Sequence, residues 1–328
     1  MPRSSILRIS ARRPLRAKLI FNATSGRPEE SPHQLANILA EMQNQQILPE
    51  VYMVRSDSQV EVVVHNAIKA GIKLIVVAGG DGTIDSVVGA LVGRSAALGI
   101  IPIGTRNNLA FNLGIPTGIA EAVALLRDGR RMKTDVGQVT SRRVKRWFVE
   151  AASLGLLSDL YPVADDIQHG NLAQIGGLLS TLVTAIPSHL RLILDRHAPL
   201  DTTAHLVLIA NMPFLGPRFQ IATDVSFKDN RLDVFVFSDM SKLNLITYAM
   251  QSTGGAAKDA RIKHYRAKQL TIDSDPPMAL LADGVPLGQQ GSITALIHRH
   301  ALTVIAGAVL GGEPVASLVI GPEAISGG

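Results

Sequence analysis

Five consecutive apolar residues, Leu74-Ile75-Val76-Val77-Ala78, run directly into Gly79-Gly80-Asp81-Gly82-Thr83. A strand that is apolar at every position has to be buried on both faces, which a parallel sheet covered by helices provides. The flanking sequence repeats that theme. Ala17 to Phe21 reads as a strand ending in the turn formers Asn22-Ala23-Thr24-Ser25-Gly26, and Glu50 to Val54 and Leu98 to Ile103 read as further strands. Between them, Leu35, Ile38, Leu39 and Met42, then Val60, Val63, Val64 and Ile68, then Val87, Val88 and Leu91 recur at helical spacing. Strand and helix alternate over residues 16–135, which predicts an α/β domain with a doubly wound sheet and a ligand beyond the strand C-termini.

After Asp135 the pattern changes. The short runs Trp147 to Ala152, His205 to Asn211, Leu232 to Phe237 and Gln269 to Ile272 are separated by turn-rich segments and predict a second, mainly β sandwich domain over residues 136–306. Leu178 to Leu194 is strongly apolar but contains Pro187, so a helix is expected to end there. Residues 1–15 read as a basic disordered arm, and residues 307–328 as a weakly specified tail free to return to the first domain.

Composition narrows the function classes. Of 328 residues, 46% are hydrophobic, enough to build two cores, and the absence of cysteine excludes disulfides, thiolate zinc sites and cysteine nucleophiles. Aromatics make up only 4%, and 32 Lys and Arg stand against 27 Asp and Glu, so nucleic acid is not an expected partner. No run approaches the roughly 18 apolar residues of a membrane-spanning helix. Residues 1–20 hold Arg3, Arg8, Arg12, Arg13, Arg16 and Lys18 without an acid, and the expected location is cytoplasmic, with the arm making peripheral contact with an anionic membrane. The basic clusters Arg127 to Arg146 and Lys258 to Lys268 read as solvated faces, and oligomeric state is left open.

The chemistry concentrates in the glycine-rich segment. Glycines between a buried strand and a helix let backbone N–H groups approach a phosphate, and a helix N-terminus favours negative charge. Asp81 fits that setting only if it bonds a substrate hydroxyl or lies near Mg²⁺; alone, the segment is equally an Asp-Gly turn. Gly104-Thr105-Arg106-Asn107-Asn108 occupies the same strand-to-helix position after the next strand, so both segments are expected to meet at one crevice. His298 and His300 lack a third ligand, and Ser153 and Ser158 lack a nucleophile elbow, so none of them is assigned chemistry.

These residues resemble the diacylglycerol kinase catalytic domain family, shared by bacterial lipid kinases and sphingosine kinases and, more distantly, by NAD kinases. The resemblance covers about residues 16 to 306. It rests on Asn22 to Gly26, on Gly79 to Thr83, and on Leu98-Gly99-Ile100-Ile101-Pro102-Ile103-Gly104-Thr105 followed by Leu113-Gly114-Ile115-Pro116. Thr134 to Gly137, Asn211, Phe227 to Asp233 and Ala282-Asp283-Gly284 follow in the family's order.

The resemblance implies ATP-dependent phosphoryl transfer to a hydroxyl of a membrane lipid such as diacylglycerol. Asn22, Thr24, Ser25, Gly26, Gly79, Gly80, Asp81, Gly82, Thr83, Thr105 and Asn107 would hold nucleotide. Asp81 and Asp135 would belong to a carboxylate and Mg²⁺ network, Asp283 would be the general base, and Asp229 would hold a structural Mg²⁺ with the carbonyls of Ser226 and Arg231. The sequence departs from the family pattern in Val285 for a glutamate after Asp283-Gly284, Asn108 for an aspartate, Ser86 for a glutamate and Asn230 for a glycine. Val285, Asn108 and Ser86 carry the alternative expectation, a catalytically degenerate nucleotide- or lipid-binding protein of the same fold.

Overall fold

The computed structural model describes residues 13–26, 28–158, 186–215, 220–222, 224–238 and 261–307. Two compact units form, one from residues up to Ala110 with Ile115–Met132 and Leu302–Gly307, the other from Phe111–Gly114 and Lys133–Ala301.

In the first unit the all-apolar segments become the sheet centre. Strands β1 (Leu15–Phe21), β2 (Ile47–Met53), β3 (Leu74–Gly79) and β4 (Ala97–Pro102) alternate with helices α1 (Ser31–Asn44), α2 (Val60–Lys69) and α3 (Asp81–Leu91). The parallel order is β4-β3-β1-β2, with Thr303 and Val304 pairing alongside Ala97 and Leu98. Every residue of β3 and β4 is buried, as strands covered on both faces require. Helix α1 turns Ile38 and Met42 inward, and α2 turns Val60, Val64 and Ala67 inward, the predicted faces. The chain leaves β1 toward β2 on one side and returns to β3 on the other, so the C-termini of β1 and β3 flank the topological switch point.

Gly79-Gly80-Asp81-Gly82-Thr83 is tighter than the predicted loop. Gly79 still belongs to β3, Gly80 is the extended N-cap, and Asp81 to Thr83 are the first turn of α3.

The second unit is antiparallel. After α4 (Asn108–Asn112) and α5 (Ile119–Asp128) come β5 (Arg130–Thr140), β6 (Lys145–Phe148), β7 (Ala151–Gly155), β8 (Ser188–Leu194), β9 (Leu200–Ala204), β10 (Leu206–Ala210), β11 (Leu232–Phe237), β12 (Ile262–Ala267), β13 (Gln269–Ala282) and β14 (Val285–Ala306). Strands β12, β11, β10, β7 and β13 neighbour in that order, β8 and β9 extend from β13, and β5 joins β6 to β14. Val139, Phe148, Leu154, Leu192, Val207, Val234, Ile272 and Ile293 share one core, so inward residues of all these layers meet, as in a sandwich.

The predicted strand Trp147 to Ala152 is two strands. The break at Val149-Glu150 has a cause distant in sequence: the Val149 N–H donates to Asp283 Oδ2 at 2.6 Å, and those of Glu150 and Ala151 to Asp283 Oδ1 at 3.0 Å. Of the Leu178 to Leu194 stretch, Ser188–Leu194 is strand β8 and the predicted helix lies outside the described residues, as do most of the basic arm and tail and part of Lys258 to Lys268. Among the described residues no helix is long and apolar enough to cross a membrane.

Candidate functional site

A cleft of about 410 Å³ opens in the first unit at the C-terminal ends of β1, β2 and β3, lined by Asn22, Thr24, Ser25, Val54, Arg55, Ser58, Val60, Gly80, Asp81, Gly82, Thr83 and Ser86. Its floor is tied together by side chains of the first loop. Asn22 Nδ2 donates to Thr83 Oγ1 at 2.8 Å, and Asn22 Oδ1 accepts from the N–H and hydroxyl of Thr24 at 3.1 and 2.8 Å. The Gly80 N–H donates to Ser25 Oγ at 3.1 Å. Asn22 thus joins strand end to helix start, while Ser25 holds the N-cap backbone.

The loop after β4 closes on the same place. A Cβ at Gly104 would lie 2.4 Å from Gly80 Cα, so only glycine permits this backbone approach. Asn107, at φ +51°, folds back on that glycine, accepting from its N–H at 3.1 Å and donating to its carbonyl at 2.7 Å. The Asn108 N–H donates to Asp81 Oδ1 at 3.1 Å. Burial raises the Asp81 carboxyl above its ordinary value, against the charge of Arg106 and the N–H groups of Asn108 and Asn107.

Of the residues expected to hold nucleotide, Asn22, Thr24, Ser25, Gly80, Asp81, Gly82 and Thr83 line the cleft, while Gly26, Gly79, Thr105 and Asn107 stand behind or beside it. Gly26 has φ +70° and a Cβ there would meet the Ile103 carbonyl, so its role in the loop is conformational. The β2-to-α2 loop, with Arg55 and Ser58, is absent from the sequence reading. Its signal was its position, since it too follows a strand C-terminus of a doubly wound sheet. Ser58 Oγ accepts from the Arg55 N–H at 2.7 Å and from the Tyr52 hydroxyl at 3.0 Å, which fixes that loop.

The remaining acids belong to the second unit. Asp135 is fully buried; its Oδ2 accepts from the Asn230 N–H and its Oδ1 from the His300 N–H, each at 2.7 Å. Asn211 Nδ2 donates to the carbonyls of Asp135 and Val149 at 3.1 and 2.6 Å, linking the Asp135 and Asp283 regions. Asp283 sits in left-handed backbone at φ +44° in the β13-to-β14 turn, its carboxylate taken up by the three N–H groups of Val149 to Ala151. His298 packs edge-on against Trp147 at 4.8 Å, and Ser153 and Ser158 bond each other at 2.8 Å.

Asp229 Oδ1 accepts the Arg231 N–H at 3.0 Å. Burial lifts its carboxyl above the ordinary value, with Asp233 and Asp135 adding to the lift and the Arg231 N–H and Arg266 opposing it. The fully buried Asp233 accepts from Arg266 Nε at 2.8 Å and meets His264 Nε2 at 2.7 Å through Oδ1, while Oδ2 has no partner among the described residues. That oxygen is the hard donor type that Mg²⁺ takes, although among the described residues no three acids or histidines are gathered as a metal centre.

A doubly wound unit with a glycine-bracketed polar cleft, followed by an antiparallel sandwich, defines a two-domain α/β-plus-sandwich class. Residues 16–139 match the diacylglycerol kinase catalytic domain, and residues 161–306 match the YegS C-terminal NAD kinase beta sandwich-like domain. The chain thus carries a diacylglycerol kinase catalytic domain followed by a YegS-type sandwich domain. It is 27% identical to a diacylglycerol kinase of Bacillus subtilis over 292 residues, covering 87% of this chain and 94% of that one. It is 28% identical to a probable YegS-like lipid kinase of Stenotrophomonas maltophilia, covering 83% and 90%. A solved structure of a putative diacylglycerol kinase from Bacillus anthracis has the same fold, with a TM-score of 0.74 at 22% identity over 90% of this chain and 98% of that one.

Proposed function

We propose that the protein is an ATP-dependent lipid kinase that transfers the γ-phosphate to a lipid hydroxyl of the diacylglycerol type. The observation that carries this reading is the convergence of Asn22 to Ser25 and Gly80 to Thr83 on one polar cleft at the N-terminus of α3. Backbone N–H groups there suit phosphate oxygens, and Asn22, Thr24, Ser25 and Thr83 offer further polar contacts. Gly26, Gly79, Thr105 and Asn107 would shape the surrounding loops. Phosphoryl transfer asks a protein mainly for positioning and charge neutralisation, which fixed loops of this kind supply.

Asp283 is assigned the general base for the acceptor hydroxyl, and its three N–H bonds fix the carboxylate in one orientation. Mg²⁺, when bound, would offset the charge of the phosphates and acids, with Asp81 the residue for it at the cleft and Asp229 and Asp233 at the sandwich. Asp135, whose two oxygens each accept a backbone N–H, would order the loop that carries Asp229. The basic arm would contact anionic membrane.

The test is transfer of labelled γ-phosphate from ATP with Mg²⁺ into total lipid extract, comparing wild type with Asp81→Ala. A labelled lipid lost in the variant supports the kinase and names its acceptor class. No labelled lipid from a folded wild-type protein refutes it, and ATP binding without transfer would favour the degenerate reading that Val285, Asn108 and Ser86 motivate.

A further inference from the structure

The run Thr140-Ser141-Arg142-Arg143-Val144-Lys145-Arg146-Trp147-Phe148 holds four cations and the single tryptophan of the chain, with no acid. Along the sequence these charges are only clustered; in the fold they gather at one tip. The run is the turn between β5 and β6, closed by the Ser141 N–H donating to the Val144 carbonyl at 2.8 Å. Ser141 Oγ accepts from the N–H groups of Arg143 and Val144 at 3.3 and 3.2 Å, which leaves Arg142 and Arg143 at the apex. Both are exposed, as is Lys145, and no acid pairs with the three among the described residues.

Strand alternation decides what stands beside the apex. Val139 and Phe148 point into the sandwich core, so Lys145 and Trp147 lie on the outer face. Trp147 is half-buried, its ring edge-on to that of His298 on β14 at 4.8 Å, and Leu296, on the same side of β14 as His298, is 36% exposed. Burial and then the charge of Lys145 hold the His298 imidazole below its ordinary value, so Lys145 stands beside this ring pair. Phosphate headgroups attract cations arranged in this way, and an indole with one wet side belongs at the level of those headgroups. A nucleic-acid strand would call for a series of stacking rings, whereas this face offers one indole already packed on a histidine.

We propose that the β5-to-β6 tip docks the protein on an anionic membrane surface, with Arg142, Arg143 and Lys145 among the headgroup phosphates and Trp147 at their level. The choice of a lipid surface rests on the kinase reading above. Strand β6 runs from this tip to Val149, whose N–H holds Asp283, so the docked strand leads to the proposed base.

The experiment adds vesicles of phosphatidylglycerol and phosphatidylcholine to the full chain and reads Trp147, which as the only tryptophan reports this face alone. Expected are a blue shift of its emission and protection from acrylamide quenching, both absent with phosphatidylcholine alone and reversed by about 0.5 M salt. Each cation near an anionic surface contributes roughly fivefold, so Arg142→Ala, Arg143→Ala and Lys145→Ala together should weaken binding about tenfold or more. These side chains are exposed, so the variant should unfold at the wild-type urea concentration; Arg142→Gln with Arg143→Gln serves if it does not fold. The proposal is overturned if Trp147 is unaffected by the anionic vesicles, whether or not they sediment the protein, or if the variant binds as wild type does. A Trp147 shift with a single-stranded oligonucleotide and none with vesicles overturns it in favour of nucleic acid. Docking needs no turnover: a wild type that docks through Trp147 but labels no lipid refutes the kinase reading alone, whereas labelled lipid with Trp147 untouched refutes only this inference.

Discussion

Replacing Asp283 with alanine removes a hydrogen-bond acceptor for three N–H groups at once, and the residues carrying them, Val149, Glu150 and Ala151, are 1%, 8% and 7% exposed. A buried donor left without its acceptor costs roughly 1–1.5 kcal/mol even when some water reaches it, so the loss should come to about 3–5 kcal/mol. With a urea dependence of roughly 2 kcal/mol per molar, the midpoint falls by about 2 M. Trp147, the single tryptophan, lies two residues before Val149 and reports the transition by fluorescence. Asp283→Asn should fall between wild type and alanine, because one amide oxygen can keep the Glu150 and Ala151 bonds while its NH₂ faces the Val149 N–H. A midpoint for Asp283→Ala within about 0.5 M of wild type would refute the view that this side chain organises the turn. The result bears directly on catalysis, since inactivity of the alanine variant reflects a lost fold unless its stability is measured alongside.

Three further outcomes follow from the geometry. Because the folded-state pKa of Asp81 is raised above its ordinary 3.8, stability is lost as pH climbs through that interval, and Asp81→Asn should melt higher than wild type near pH 7 while abolishing transfer. That gain should disappear below about pH 4, where both forms are neutral, and thermal melts across pH test it. Gly104→Ala places a Cβ 2.4 Å from Gly80 Cα; nucleotide binding measured by calorimetry should be lost, and stability should drop by about 1–3 kcal/mol. Arg266→Met leaves the buried Asp233 with only His264 on Oδ1 and should cost roughly 3 kcal/mol in urea unfolding, although Arg266 itself is partly exposed.

Sequence pattern reached furthest where the determining interactions are local. Leu74 to Ala78 announces a doubly covered strand because each residue in the run must be buried, and Gly79 to Thr83 and Gly104 to Asn108 announce loops that meet because both follow strands of one parallel sheet. It failed where the cause lies far along the chain. Nothing near Trp147 says that the strand must break at Val149; that instruction comes from Asp283, more than a hundred residues later. Nor does anything near Asp135 announce that its oxygens accept the N–H groups of Asn230 and His300, partners 95 and 165 residues away. Arg55 and Ser58 went unread because their loop carries no glycine signature, and only the sheet order brings it to the cleft.

Strand β14 begins in the sandwich and ends with Thr303 and Val304 paired to Ala97 and Leu98 of the first unit. That pairing sets an order of assembly during synthesis. The ribosome releases β1 to β4 long before residues 302–307 exist, so the β4 edge waits while about two hundred residues are added, at roughly 5–20 per second. For that interval of ten seconds or more, the nascent first unit exposes an unpaired apolar strand edge, the kind of surface that invites pairing with another chain. A truncation before Leu302 would make that transient state permanent.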